Sequence, residues 1–183
     1  VLDAGVDCIQ LREKDLEDAD LLDRAAHVAQ RCRAHGASAI VNDRPDLALL
    51  SNADGVHLGQ TDLPPSEVRK LVGHQLLIGV STANLDQAHA AKAGGADYVG
   101  IGPMFPTTTK HKPTLAGPAY LRAFLADHQL HDLPHLAIGG ITPAPGNLPE
   151  LIEAGVRGIA VSSAVCASED PAALIAEIKQ SFG

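Results

Sequence analysis

The motif QLREK, near the start of the chain, contains the residue types most suggestive of chemistry. On a β-strand, Gln10, Arg12 and Lys14 share one face, because alternate side chains of a strand point to the same side. Two cations at the inner end of a strand are costly if unpaired, so they require internal carboxylates or an anionic ligand. The alternative is an ion pair with Glu13 or Asp15.

Carboxylates follow two later apolar runs. Asn42 and Asp43 end the run in IVND, and Asp62 follows the run in GVHLGQTD. Neighbouring strands lie about 4.7–4.9 Å apart, so carboxylates at adjacent strand ends can share one hard cation through oxygen ligands, as magnesium prefers. The alternative interpretation makes both aspartates helix caps, since each precedes a helical pattern.

Hydroxyl groups and a lysine follow the next two runs. Ser81 ends the run in IGVS, and the loop in GPMFPTTTK supplies Thr107, Thr108, Thr109 and Lys110. Hydroxyls beside a lysine suit phosphate oxygens. Such a loop taken alone is more often only a polar turn, so its weight depends on agreement with the other strand ends.

The last two apolar runs, AIGGIT and GIAVSSAV, contain Gly140, Ser162 and Ser163. Loops after the last two strands of an α/β barrel commonly bind phosphate through backbone N–H groups and a helix N-terminus. Gly140 permits a close approach of the backbone, and the serines add hydroxyls. The pattern predicts a phosphate site but no reaction, because many barrels share it.

Short apolar runs alternate with amphipathic stretches along the whole chain, which indicates parallel strands joined by right-handed crossovers. Recurrent phrases such as NADGVHLG and AGGADYVGIG suggest a repeated unit that closes on itself. We therefore expect an α/β fold of the (β/α)8 TIM-barrel type. Strands are predicted at Val6–Leu11, Ser38–Val41, Gly55–Leu58, Leu76–Val80, Tyr98–Gly102, Leu136–Ile138 and Gly158–Ser162. Helices are predicted at Leu16–His35, Pro65–Val72, Leu85–Ala93, Pro118–Ala126, Leu148–Glu153 and Pro171–Ser181.

The start of the chain does not fit a complete barrel. It opens at Val1 with a pattern typical of a helix end, so we expect the first strand and most of the first helix to be missing upstream. The 183 residues, 45% of them hydrophobic, predict one N-terminally incomplete domain over residues 1–183. A gap in place of the first strand would leave an edge that favours a homo-oligomer.

Composition excludes several classes of partner. A net charge of −8 with 3% aromatic residues argues against nucleic-acid binding, which normally needs a basic face. The sequence has no apolar run of about 18 residues and no charged-then-apolar leader, so we expect a soluble protein without a membrane partner. Three scattered cysteines favour a reducing cytoplasm over a disulfide framework.

Taken in order, these motifs resemble the thiamine phosphate synthase family from about Asp7 to the C-terminus. The pairing of QLREK with PTTTK is the most specific part of the resemblance, which rests on QLREK, VND, GVHLGQTD, GVS, YVGIGPMFPTTTK, AIGGIT and GIAVSSAV. One departure is TPAPGNLPE, which carries a short Pro-Gly insertion where the family pattern runs directly into a helix.

The resemblance implies two small-molecule substrates and Mg²⁺ bound by Asp43 and Asp62. Loss of pyrophosphate would generate a pyrimidine carbocation that the thiazole nitrogen captures. The implied catalytic residues are Arg12, Lys14, Ser81 and Lys110. The pyrimidine diphosphate site would consist of Gln10, Leu11, Arg12, Glu13, Lys14, Asn42, Ser81 and Lys110. The thiazole phosphate site would consist of Thr107, Thr108, Thr109, Gly140, Ser162 and Ser163.

Catalysis of this kind is mostly leaving-group stabilisation and positioning, so it requires no separate general base. We therefore interpret His57 as structural or as support for a ligand-binding residue. One alternative is the related thiazole tautomerase, which lacks the second metal aspartate and uses a histidine after the VS strand end. This chain has Asp62 and, after Ser81, no such histidine. The other alternative is a phosphate-binding barrel without catalysis.

Overall fold

The computed structural model describes residues 1–107, 115–143 and 145–183 of the chain. Seven strands form one parallel sheet, each hydrogen-bonded to the next in chain order. The apolar runs predicted from the sequence form these strands, because each run pairs with its neighbours in chain order. The strands are β1 (Cys8–Leu11), β2 (Ser38–Asn42), β3 (Gly55–Leu58), β4 (Leu77–Thr82), β5 (Tyr98–Ile101), β6 (His135–Ile138) and β7 (Ile159–Ala160).

A short 3-10 helix, Leu2–Ala4, precedes the first strand, and α-helices connect the strands. In the described residues none of them is long and apolar enough to cross a membrane. The helices are α1 (Asp18–Ala34), α2 (Pro45–Leu50), α3 (Pro65–Val72), α4 (Leu85–Ala93), α5 (Gly117–Ala126), α6 (Leu148–Glu153), α7 (Ser163–Cys166) and α8 (Pro171–Gln180).

The two faces of the sheet have different compositions. One face packs its aliphatic side chains, among them Val56 and Val99, against the helices to form the hydrophobic core. The other, inner face carries polar residues and glycines together with some aliphatic side chains, such as Ile40 beside Gly55. Gly79 of β4 lies in register with Tyr98 of β5, and a side chain at Gly79 would collide with the Tyr98 ring. Glycine therefore leaves the space that a large inner side chain occupies.

The predicted strand count, direction and order are confirmed, in an arrangement consistent with a TIM-like barrel that lacks one strand. Within the described residues, β1 and β7 are not paired with each other, so ring closure is not observed. Two helices, α2 and α7, of six and four residues, were not predicted. The predicted first strand is two residues too long at its start, since pairing begins at Cys8.

Candidate functional site

The polar strand ends predicted from sequence lie at one edge of the sheet, because all seven strands run in the same direction. Two parts of this edge differ in construction. We call the carboxyl ends of β1 to β4, with the loops that follow them, the β1–β4 edge. The carboxyl ends of β5 to β7, with the loops that follow them, form the β5–β7 edge. Asn42 is the register partner of His57, and Ser81 is the register partner of Gly100, so these positions are direct neighbours.

The cations of QLREK stand just beyond β1. The strand ends at Leu11, so strand alternation does not orient Arg12, Glu13 or Lys14. Glu13 pairs with Arg24 at 2.9 Å, which corrects the alternative of an ion pair within the motif. Arg12 and Lys14 are exposed and make no ion pair within the part of the chain that the structure describes. Because water solvates an exposed charge, leaving these cations unpaired costs little free energy, and both are available to an anion.

Asp43 directly follows β2 in a left-handed backbone conformation with φ 62°. Its N–H donates to the carbonyl of His57 at 2.9 Å, which ties the end of β2 to β3. The next residue, Arg44, binds Asp18 at 2.6 Å and Asp46 at 2.7 Å. Hydrogen bonds from Arg44 lower the pKa of both carboxyls, so the ion pairs persist at neutral pH and fix the loop that carries Asp43.

Asp62 lies in the loop after β3, half-buried, with Oδ2 accepting the Gly59 N–H at 2.6 Å. The helix-cap alternative is wrong for both aspartates, because the N-caps of α2 and α3 are Arg44 and Pro64. Among the described residues, no group of three or more His, Cys, Asp or Glu side chains could hold a metal. Any ion held here would rely on two carboxylates and other oxygens.

A chain of polar groups around the buried ring of His57 lies beneath this edge. The His57 ring contacts Tyr98 Oη through Nδ1 at 3.0 Å and Ser81 Oγ through Nε2 at 2.9 Å. The Gln60 amide donates to the Ser81 carbonyl at 2.7 Å. Sequence analysis assigned His57 a supporting role and did not identify Tyr98. The alternation of Gly79, Ser81, Tyr98 and Gly100 on two neighbouring strands was the available signal.

The β5–β7 edge contains an open cavity of about 450 Å³. Three of the residues predicted for thiazole phosphate, Thr107, Gly140 and Ser163, lie in its wall. Ser162 is the N-cap residue of α7 and is exposed. Thr108, Thr109 and Lys110 lie outside the described residues. The complete lining is Pro106, Thr107, Gly140, Ile141, Thr142, Ser163 and Ala164.

The wall of this cavity depends on backbone shape. Gly139 and Gly140 both have left-handed φ values, 96° and 67°. A Cβ at Gly140 would approach the carbonyl carbon of Phe105 to 2.8 Å, so the loop after β6 and the loop after β5 fit only with glycine there.

Asn147 holds the cavity loop from the insertion seen in the sequence. Its Nδ2 donates to the Gly140 carbonyl at 2.8 Å, and its Oδ1 accepts the Thr142 N–H at 2.9 Å. Both bonds join the insertion to backbone that lines the cavity. Sequence analysis noted the insertion but not this residue, because the contact depends on how the loop folds back.

Comparisons with known proteins agree with these observations. The model of the family described as thiamine monophosphate synthase matches residues 1–165. A thiamine-phosphate synthase of Synechococcus sp. (strain WH7803) is 50% identical over 171 residues, which cover 93% of this chain and 47% of that protein. A thiamine-phosphate synthase of Chlorobium phaeobacteroides is 46% identical over 170 residues, covering 93% of this chain and 81% of that protein.

A solved structure supports the same grouping. Thiamine phosphate pyrophosphorylase from Pyrococcus furiosus superimposes with a TM-score of 0.86 at 34% identity, covering 98% of this chain and 84% of that one. The chain spans about half the length of several curated relatives, including the one from Synechococcus. By the family match and by its identity to relatives that it largely covers, this chain belongs to the thiamine monophosphate synthase family.

Proposed function

We propose that this protein acts as a thiamine phosphate synthase, which joins a hydroxymethylpyrimidine diphosphate to a hydroxyethylthiazole phosphate and releases pyrophosphate. One observation carries the proposal: two differently built sets of groups that suit anions share one edge of the sheet. Exposed cations and two carboxylates stand at the β1–β4 edge, and a cavity with hydroxyls and left-handed glycines lies at the β5–β7 edge. Family membership supports the same activity.

The β1–β4 edge suits the diphosphate. Arg12 and Lys14 offer charge without an internal partner in the described residues, and Ser81 offers a hydroxyl fixed from below by His57. Gln10 and Asn42 add amides on neighbouring strands. We assign Lys110, which lies outside the described residues, to the same substrate on the resemblance alone, as we do Leu11 and Glu13.

Asp43 and Asp62 fit a magnesium ion by the chemistry of their donors. Mg²⁺ in phosphate-transfer sites is usually held by one or two carboxylates together with substrate phosphates and water. At Asp62, Oδ2 is occupied by the Gly59 N–H, which leaves Oδ1 for a ligand. A bound ion would neutralise the negative charge that develops on a departing diphosphate. The two carboxylates would hold and orient it, while Arg44 ties the Asp43 loop to Asp18 and Asp46.

The cavity at the β5–β7 edge suits the thiazole phosphate. Gly140 and the hydroxyl-bearing residues Thr107 and Ser163 lie in its wall. The reaction then needs only correct placement: the bond from the pyrimidine methylene to the diphosphate oxygen breaks, and the thiazole nitrogen forms the new C–N bond with its lone pair. The electron pair of the broken bond leaves with pyrophosphate. Rate enhancement in this scheme comes from positioning and charge stabilisation.

We also propose the cellular and architectural setting. The seven strands in consecutive order support one (β/α)8-type domain over residues 1–183, completed as a ring when an eighth strand bridges β1 and β7. Each of Cys8, Cys32 and Cys166 is unpaired, which supports a reducing cytoplasm. Either open edge, at β1 or at β7, could also carry contacts of a homo-oligomer.

Incubation of the purified protein with both substrates and Mg²⁺ tests the proposal directly. We expect thiamine phosphate and pyrophosphate in equal amounts, with formation stopped by a chelator. Conversion of the thiazole phosphate to an isomer without coupling would favour the tautomerase alternative, against which Asp62 and the absence of histidine from the sequence STAN at 81–84 already argue. Binding of both substrates without turnover would favour a non-catalytic phosphate-binding barrel.

A further inference from the structure

We propose that Tyr98 and His57 are positioning residues that form a directional hydrogen-bond relay and leave the Ser81 hydroxyl free to donate its proton to the diphosphate. The inference rests on the proposed function for the identity of the substrate. The relay itself rests on geometry, because it crosses three adjacent strands: Tyr98 lies on β5, Ser81 on β4 and His57 on β3.

The inner face is shaped for this chain of contacts. The Tyr98 ring occupies space above Gly79, and a Cβ at Gly100 would lie 3.2 Å from Cε1 of the His57 ring. The two rings are 5.5 Å apart between centroids. His57 is 6% exposed, so its orientation is set by packing as well as by its hydrogen bonds. Each glycine removes the side chain that would separate the donors from the acceptors.

The hydroxyl of Tyr98 sets the direction of the relay. Burial raises the pKa of Tyr98, so the phenol keeps its proton. In the described residues the only hydrogen-bond partner of its oxygen is His57 Nδ1. A half-buried O–H with one available partner pairs with it, so Tyr98 donates and Nδ1 accepts. The ring proton of neutral His57 then stands on Nε2.

The direction has a consequence at the substrate. His57 Nε2–H donates to Ser81 Oγ at 2.9 Å, which occupies a lone pair of the hydroxyl. With the reverse tautomer, Ser81 would donate its proton down to Nε2 and present only an acceptor to the ligand. Phosphate oxygens accept hydrogen bonds, so a Ser81 that can only accept would repel the diphosphate. Gln60 holds the Ser81 backbone and so keeps the hydroxyl at the edge.

The chain contains a matched control. Its second tyrosine, Tyr120, donates to Thr82 Oγ1 at 2.8 Å, on the neighbouring residue of the same strand but on the helix-packed face. Tyr98→Phe and Tyr120→Phe therefore each delete one oxygen and one hydrogen bond between side chains. Only Tyr98→Phe removes the donor that fixes the His57 tautomer.

The first test is the tautomer itself, which needs no turnover. In ¹⁵N-histidine-labelled protein, long-range ¹H–¹⁵N spectra of the neutral ring should show His57 protonated at Nε2 and bare at Nδ1. Tyr98→Phe should give a mixture of tautomers, and Tyr120→Phe should leave the spectrum of His57 unchanged. A wild-type ring protonated at Nδ1 would overturn the proposal.

The second test is kinetic. Tyr98→Phe should lower kcat/KM for the pyrimidine diphosphate by about three- to tenfold, the scale of one neutral hydrogen bond, and leave the KM for thiazole phosphate unchanged. In a Ser81→Ala background the same substitution should have no further effect, since the group it positions is gone. Equal losses in Tyr98→Phe and Tyr120→Phe, or a loss that persists without Ser81, would mean that Tyr98 only stabilises the fold.

These results separate the relay from the proposed function. Absence of thiamine phosphate formation by the wild-type protein would overturn the synthase proposal, whereas the spectra would still report the relay. If the wild-type protein forms product but its His57 ring is protonated at Nδ1, the relay alone is overturned. The same holds if Tyr98→Phe leaves kcat/KM unchanged.

Discussion

The β1–β4 edge and the β5–β7 edge hold their residues in different ways. At the β1–β4 edge, side chains brace side chains: Arg44 binds two carboxylates, and His57 supports Ser81. At the β5–β7 edge, backbone conformation shapes the cavity wall. Two left-handed glycines lie in the loop after β6, and Asn147 donates a hydrogen bond to the carbonyl of one of them. A diphosphate with a metal requires several charges held at fixed separations, whereas backbone N–H groups can satisfy a monophosphate.

The difference predicts two kinds of sensitivity. The β1–β4 edge should respond to the loss of a charge or a hydroxyl, with little regard to side-chain size. The β5–β7 edge should respond to the addition of even a single carbon atom near Gly140. The predictions below either break one edge while sparing the other or refine the contrast between them.

The largest effect should come from the two aspartates. Asp43→Ala and Asp62→Ala should each reduce turnover by about a hundredfold or more, because each removes a proposed ligand of the ion that would neutralise the departing diphosphate. The double variant should be little worse than either single one, as is usual for residues that act as a unit. Titration of activity with Mg²⁺ measures the effect, and thiazole phosphate binding should be retained.

Asp86→Ala supplies the control for this pair. Asp86 is an exposed acid in the first turn of α4, close to the end of β4, so its removal changes the net charge equally near the same edge but leaves Asp43 and Asp62 in place. Its Mg²⁺ titration should match that of the wild type. Unaltered Mg²⁺ titration curves in Asp43→Ala and Asp62→Ala would contradict the assignment of these aspartates as metal ligands.

Gly140→Ala should have the next largest effect, at the other edge. The left-handed φ costs an alanine about 1 kcal/mol, and the added carbon would also push against Phe105 and displace the cavity wall. We expect the KM for thiazole phosphate to rise at least about tenfold, with pyrophosphate binding unchanged. Gly36→Ala is the matched control, because Gly36 has φ 70° but no atom within 4 Å of its added Cβ.

Gly36→Ala should lose a similar conformational stability and keep its KM. The ratio of the KM values of the two variants therefore separates the steric effect at the cavity from the effect of the backbone conformation. Equal kinetic behaviour in both would contradict a backbone-built phosphate site.

Asn147→Asp should have a smaller effect at the same edge. Aspartate keeps the acceptor for the Thr142 N–H but loses the donor to the Gly140 carbonyl. We expect a rise of about three- to tenfold in the KM for thiazole phosphate, the scale of one lost hydrogen bond. Initial rates at varied thiazole phosphate concentration measure it.

The corresponding change Asn84→Asp tests whether the amide matters for geometry or only for charge. Asn84 caps α4 by accepting the Gln87 N–H at 2.9 Å, a role that aspartate fills equally well. Neither stability nor either KM should change. A similar KM shift in both variants would indicate a general effect of added negative charge.

The sequence could predict the strands and their order but not the contacts between them. Apolar runs and turn residues are local features, so the seven strands were found, with ends misplaced by one or two residues where pairing extends or stops. Pairing carries β4 on to Thr82, for example, while β1 stops at Leu11 and releases Arg12 from strand alternation.

The site was predictable only as a set of strand ends. The relay joins His57 to Tyr98 across 41 residues and depends on the register that sets Gly79 beside Tyr98. Arg44 reaches Asp18 across 26 residues, and its two partners are exposed acids indistinguishable in the sequence from many others. Such contacts follow from register and helix placement, which are properties of the folded chain.

The smallest effect that the comparison predicts concerns pH. Two strand histidines are buried, His57 near the end of β3 and His135 at the start of β6. His57 has a hydrogen bond at each ring nitrogen. Within the described residues, His135 Nε2 has no partner, and its ring packs on Phe124 at 5.3 Å between centroids. Burial lowers the pKa of His135, so the folded protein resists protonation there.

The sign follows from linkage. Between the lowered pKa of folded His135 and an unfolded value near 6.5, the unfolded chain binds more protons than the folded one, so stability falls as pH falls through about 6.5. This one group can contribute a slope of up to about 1.4 kcal/mol per pH unit. Urea unfolding at several pH values from 7.5 to 5 should therefore show a loss of stability that His135→Phe reduces, whatever its effect at pH 7.5. If stability changes with pH by the same slope in the wild type and in His135→Phe, the acid sensitivity belongs to other groups, and this contrast between His57 and His135 has no effect on stability.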